Sequence, residues 1–144
     1  MLDIDSRLLS ALRKNVRDIS ILGLSNELAQ DRIRHLVLSG VASKFTTLCD
    51  FSKIGMHLHI AFAIAAEDKD GIKQWLSSDP AVNNLFAAGG DFDFFLDAYF
   101  RDMKSLWEFS EKAREFKVTK FMEYHIIHAI ALEKAPIITP ASSA

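Results

Sequence analysis

Cysteine occurs once in the 144 residues, at Cys49, so no internal disulfide can form and a reducing compartment suits the chain. Glycine and proline are sparse, at 6 and 3, which excludes a collagen-like or low-complexity polymer. No apolar run reaches the roughly 18 residues of a membrane-spanning helix. The longest, Ile60 to Ala66, has the length of a strand. Neither sign of charge dominates: 17 Lys and Arg face 19 Asp and Glu, a net charge of −2. Residues 1–50 hold 7 basic and 6 acidic side chains, and residues 51–144 hold 10 and 13. Any nucleic-acid binding therefore rests on a local arrangement and on several copies, not on a basic tract. Asp3 and Asp5 stand where a signal peptide would be basic, so a cytoplasmic location is expected.

What the chain does have is apolar material at ordinary density, 49% hydrophobic against 25% charged, including 11 phenylalanines. That excludes wholesale disorder and suits one domain or two small ones. Ile4, Leu8, Leu12 and Val16 recur at spacing four and predict a helix over 4–16. Asp3 or Asp5 can cap it, and Arg13, Lys14 and Arg17 complement the helix dipole at its far end. DISILGL, residues 18–24, reads as a turn or a stunted helix. Ser25 opens a second helix whose inward stripe is Ala29, Ile33, Leu36 and Val37, and Gly40 stops it. Residues 41–49 read as an extended connector.

From residue 54 the texture changes. HLHIAFAIAA predicts a strand with Leu58, Ile60, Phe62 and Ile64 on one face and His57, His59, Ala61 and Ala63 on the other. DKDGIKQWLSSDP predicts a helix capped by Asp68 or Asp70. AVNNLFAA and DFDFFLDAYF predict strands joined at Gly89-Gly90-Asp91. Residues 102–116 predict a helix with Met103, Leu106, Trp107, Ser110, Ala113 and Phe116 at helical spacing. Residues 118–132 predict a last strand, and APIITPASSA, residues 135–144, a flexible tail.

The order β-α-β-β-α-β is the ferredoxin-like plait, with both helices on one face of an antiparallel sheet. The fold class expected is therefore α+β: an N-terminal helical segment over 1–48 and a plait over 49–134. The other sheet face stays bare, with Ala61, Ala63, Phe95 and Tyr99 among polar groups, and predicts a homodimer.

No catalytic motif is present: Cys49 has no nucleophile signature around it, and there is no phosphate loop or nucleophile elbow. No cofactor is expected. The plait would let His125 or His128, Glu123, Asp93 and Asp97 approach His57 and His59, a composition able to hold zinc. No ligand-spaced motif supports a metal, and hydrogen-bonded histidines near a dimer face are the favoured reading.

Several segments, in order and spacing, resemble the Lrp/AsnC, or feast/famine, transcriptional regulators. LDIDSRLLSAL resembles that family's first helix. GLSNELAQDRIRHLVLSGVASKF resembles its recognition helix and the turn after it, through Gly23, Leu24, Ser25, Arg32, Ile33, Leu36 and Gly40. GGDFDFFLDAYFRDM resembles its Gly-Asp-aromatic-Asp turn and strand, and KVTKFMEYHII its last core strand. The resemblance covers about residues 2–133. It implies a helix-turn-helix, an effector-sensing plait, homodimers associating into higher oligomers, double-stranded operator DNA as partner, and a small effector, an amino acid, bound between dimers. No membrane or enzymatic role is implied.

Two departures stand out. Only DISIL separates Arg17 from Gly23, where the family pattern carries a full bracing helix, so the helix-turn-helix reads as shortened. Gly89 stands where the family commonly has threonine.

On this resemblance Ser25, Asn26, Glu27, Gln30 and Arg34 line the base-reading face, and Arg32 and Arg17 meet phosphates. A plain solvated helix face is the alternative. Gly89, Gly90, Asp91 and Asp93 form the lip of the effector pocket, or simply a hairpin. Two other functions stay open. One is a metabolite-binding co-regulator that has lost autonomous DNA binding. The other is a siroheme-decarboxylase-like enzyme built on the same plait.

Overall fold

The structure is a computed structural model and describes residues 3–17 and 22–134. The chain divides into two compact units, with the break between Thr47 and Leu48.

The first unit holds two helices, α1 (Asp3–Lys14) and α2 (Asn26–Leu38). Acidic side chains open α1 and Arg13 and Lys14 close it, as the helix dipole favours. Leu8 is buried, whereas Val16 falls beyond the last turn and is exposed. The Ser25 hydroxyl accepts from the Leu28 N–H at 3.2 Å and caps α2. Gly40, at φ +76°, takes the chain out of the helix. Ala29 and Leu36 point inward as expected, but Val37 is exposed. Residues 18–21 lie outside the described residues, so the predicted turn there is described only at Leu22 to Leu24. Ala131 to Lys134 group with this unit, not with the plait to which the sequence reading assigned them. Arg13 donates there to the backbone carbonyl and carboxylate of Glu133, at 3.3 and 3.2 Å. The expected tail, 135–144, lies outside the described residues.

The second unit contains β1 (Leu58–Ala66), α3 (Lys69–Ser78), β2 (Val82–Ala87), β3 (Phe94–Phe100), α4 (Met103–Arg114) and β4 (Val118–Ile126). A 3-10 turn, Phe51–Ile54, precedes them and is capped by Asp50. The antiparallel sheet runs β2-β3-β1-β4, the order of the ferredoxin-like plait. Even-numbered residues of β1 and β3 meet the helices. Ile60, Phe62, Ile64, Leu96 and Ala98 are joined there by Ile72 and Leu76 of α3 and Leu106 and Phe109 of α4. Phe62 lies at the centre of an aromatic cluster, within 5.2 to 6.3 Å of Phe109, Phe121 and Phe100. Each such side chain contributes about 1.5–3 kcal/mol by leaving water.

Three expectations are corrected. Met103 and Trp107 are exposed, because the buried stripe of α4 is Leu106, Phe109, Ser110 and Ala113, which turns Phe109 inward instead. β3 starts at Phe94, where its regular pairing with β2 ends at Ala87; Asp93 lies just outside, its N–H donating to Ile64 O at 2.9 Å and its carbonyl accepting from the Ala88 N–H at 2.8 Å. β4 stops at Ile126, where its pairing with β1 ends at His59, close to the start of that strand. Ile127 and Ile130 are consequently left exposed.

Candidate functional site

Three groups of side chains follow from this frame. The first is the exposed side of α2. Asn26, Glu27, Gln30 and Arg34 face solvent, and with Ser25, Leu28 and Asp31 most of them line a groove of about 530 Å³. Asn, Gln and Arg are the types that can bond base edges in pairs, whereas Glu27 and Asp31 would repel phosphates. Ser25 serves as the helix cap, so its hydroxyl is already engaged. Arg17 is exposed just past α1, its N–H donating to the Asn15 side chain at 3.0 Å.

Arg32 departs from expectation. Its guanidinium, expected to meet a phosphate, is engaged by a carboxylate of the same unit. Its Nε and Nη2 donate to the two carboxylate oxygens of Asp5 at 2.8 and 2.7 Å. Asp5 is 2% exposed. The hydrogen bond to Asp5 is the main reason that the guanidinium is raised above its usual range. This forked pair joins α1 to α2 and supplies a tie where apolar contacts are few.

The second group is the turn between β2 and β3. Gly90 sits at φ +92°, and both Gly89 and Gly90 have open space where a side chain would be. Asp93 is half-buried and spoken for. It accepts from the Ala66 N–H at 3.0 Å and pairs with Lys69 at 3.0 Å. The Ala66 bond, then Lys69, holds its carboxyl below the usual carboxylate range. Asp91 is exposed, 4.0 Å from Lys120, whose ammonium also lies 5.9 Å from the centre of the Phe92 ring. The open edge of this turn is thus Gly89, Gly90, Asp91 and Lys120. Asp93 fastens the turn to β1.

The third group lies on the sheet face away from the helices. His59, Ala61 and Ala63 form its central column, flanked by Phe95, Asp97 and Tyr99 of β3 and by Met122, Tyr124 and Ile126 of β4. The His59 Nε2 is 2.6 Å from the Asp97 carboxylate. Asn83 and Asn84 donate to the same carboxylate at 3.2 and 2.9 Å. The imidazole stacks on Tyr99, centroids 4.1 Å apart, and Tyr99 packs on Phe51 at 4.3 Å. Burial, then the charges of Asp97 and Asp50, raises the Tyr99 hydroxyl above its usual range. The wider gathering of histidines and carboxylates does not form. His125 pairs with Glu123 at 3.0 Å and, opposite Ile60 in the ladder, belongs to the other sheet face. Among the described residues no three His, Cys, Asp or Glu side chains converge as a metal site requires.

Sequence reasoning missed the roles of Asn83, Asn84 and Phe51 in this third group. The period-two alternation of β1 and β3 already placed His59, Asp97 and Tyr99 on one face, but their partners depend on register.

By sequence, the chain matches no protein-family profile and no curated protein. Its shape does match solved proteins. A feast or famine regulatory protein from Mycobacterium tuberculosis, in complex with L-methionine, superposes at TM-score 0.83 with 22% identity, over 95% of this chain and 99% of that one. The fold is that of the AsnC/Lrp regulators. A transcriptional regulator from Neisseria meningitidis, also in complex with L-methionine, matches at TM-score 0.78 and 18% identity, over 97% of this chain and 96% of that one. An AsnC family transcriptional regulator from Agrobacterium tumefaciens matches at 0.79 and 18%, over 94% and 96%. Coverage of this Lrp-type fold includes both units. Among the described residues no helix is long and apolar enough to cross a membrane.

Proposed function

We propose that this chain is a ligand-responsive transcriptional regulator of the Lrp/AsnC type and not an enzyme, working in the cytoplasm as a homodimer or a higher oligomer. The observation that carries the reading is the span of the likeness, more than nine-tenths of the chain against three regulators, two of them holding L-methionine. The side chains on α2 supply the chemistry for DNA: Asn26, Gln30 and Arg34 toward base edges, with Arg17 toward phosphate. The bare sheet face serves as the dimer contact. Its central column carries alanines, and the paired Phe86 and Phe95 beside it are exposed, so a two-fold axis can lay the phenylalanines of each copy on the alanines of the other. The open edge of the Gly89-Gly90-Asp91 turn takes the carboxylate and ammonium ends of an amino acid. Binding there shifts the placement of the paired helices by differential affinity for two arrangements.

The test is fluorescence anisotropy with the upstream region of the chain's own gene, against random duplex, at two salt concentrations. Preference for the cognate duplex at both supports the reading, and equal affinity sinks it.

A second reading has its own support. Only five residues separate Arg17 from Gly23, and Arg32 is turned to Asp5. Both favour a co-regulator that senses a metabolite but cannot bind DNA alone. Equal affinity for the two duplexes, with a melting temperature raised by L-methionine, would select it.

A further inference from the structure

The cluster on the bare sheet face holds a titratable pair in the area where, on the reading above, a second copy lies. His59 and Asp97 are each about four-fifths buried, with side chains 19% exposed and 2.6 Å apart. Three donors converge on the Asp97 carboxylate, from His59, Asn83 and Asn84. An ionised carboxylate only accepts, so the hydrogen sits on Nε2 of His59 and Nδ1 is the atom that gains or loses a proton.

The groups that face the imidazole are few. From β3 come Asp97 and Tyr99; from β2, the uncharged Asn83 and Asn84; from β4, Tyr124 and Ile126. Beyond Tyr99, Asp50 is balanced by Lys53 at 3.8 Å. Glu123 and His125 pair with each other on the opposite face. His57, two residues before His59, and Arg101, beside Gly55, are both exposed and screened by water, so the sign of the His59–Asp97 pair itself is set at one atom. With His59 neutral the pair carries one negative charge, and with His59 protonated it carries none.

We propose that the His59–Asp97 pair is a pH-sensitive latch, which closes this face on a second copy of the chain when His59 is protonated. The proposal rests on the reading of this face as the dimer contact. Pressing two copies together at alkaline pH buries two like charges with no opposite partner. At acidic pH the same contact buries two neutral, hydrogen-bonded pairs. Association then takes up protons, one per copy, and by linkage it tightens as pH falls. Histidine is the side chain whose charge ordinarily changes between about pH 5 and 8, which sets the two pH values of the test.

Sedimentation equilibrium of the full chain at about pH 6 and about pH 8 tests this. We expect the dimer to be about tenfold tighter, or more, at the lower pH. His59→Gln should remove the difference. Asp97→Asn should reverse it, because a protonated His59 would then be buried without a carboxylate, whereas a merely structural role for the pair predicts weakening at both pH values. Circular dichroism at each pH verifies that the variants are folded, and the wild-type comparison stands without them. A dimer whose affinity ignores pH overturns the latch and leaves the dimer reading intact. A chain that is monomeric at both pH values overturns both.

Discussion

The plait buries Ile60, Phe62, Ile64, Ile72, Leu76, Leu96 and Leu106 in one continuous cluster, whereas the helical unit fully buries Leu8, Ala29 and Leu36 among its described residues. The plait is held by area removed from water, which needs no particular partner at any one position. The helical unit has less such area and relies on a directional tie, Asp5 to Arg32. A buried ion pair gains little over well-packed hydrocarbon, but losing one partner is severe, because the other is left charged and dry. The comparison teaches that one half tolerates conservative apolar exchange while the other depends on a specific fork of two hydrogen bonds.

The sharpest way to break that contrast is a matched pair of truncations. Phe62→Ala should destabilise the plait by about 3–5 kcal/mol, and Leu36→Ala should destabilise the helical unit by about 2–5 kcal/mol. Both tryptophans, Trp75 and Trp107, lie in the plait. Denaturant curves followed by tryptophan fluorescence should therefore move for Phe62→Ala and stay in place for Leu36→Ala, while helical circular dichroism responds to Leu36→Ala. Equal movement of the fluorescence midpoint in both variants would show that the two halves do not differ as described.

Acid provides a second, smaller probe. Asp93, Asp102 and Asp50 each have a folded carboxyl held below the usual value, by the Ala66 N–H for Asp93 and by Ser105 and Ser52 for the other two. A depressed folded value contributes stability above the unfolded carboxylate value of about 3.9, and that contribution is lost as pH falls through the folded value. All three groups lie in the second unit. The fluorescence midpoint should fall below about pH 4, and Asp93→Asn should flatten part of that fall. A profile identical to wild type would remove Asp93 from the account.

The smallest effect expected is at the helix cap. Ser25→Ala should cost the helical unit about 1 kcal/mol, read from the melting of the helical signal. No change would mean that other groups satisfy the Leu28 N–H.

The legible part of the fold is local. Ser25 and Asp68 cap helices because a short polar side chain reaches an N–H three residues on, and that relation is written in the spacing; Asp102 caps α4 in the same way, although the sequence reading did not single it out. Of the candidate site, the exposed residues of α2 and the glycine turn were visible for the same reason. Arg32 was not. Its residue type suits phosphate, and only the packing of α1 on α2 brings it to Asp5, 27 residues away. His59 is similar: its face was readable by alternation, but its bond to Asp97, 38 residues on, required the sheet order.

The sequence by itself determined where each helix starts, which strand residues turn inward, and the β-α-β-β-α-β order, since these depend on steric and hydrogen-bond relations within a few residues. The tertiary structure alone decided the length of β4, the inward turn of Arg32, and the meeting of His59 with Asp97. Those follow from which segments become neighbours across the sheet or between helices, and the energy that selects them is shared among many side chains far apart in the chain.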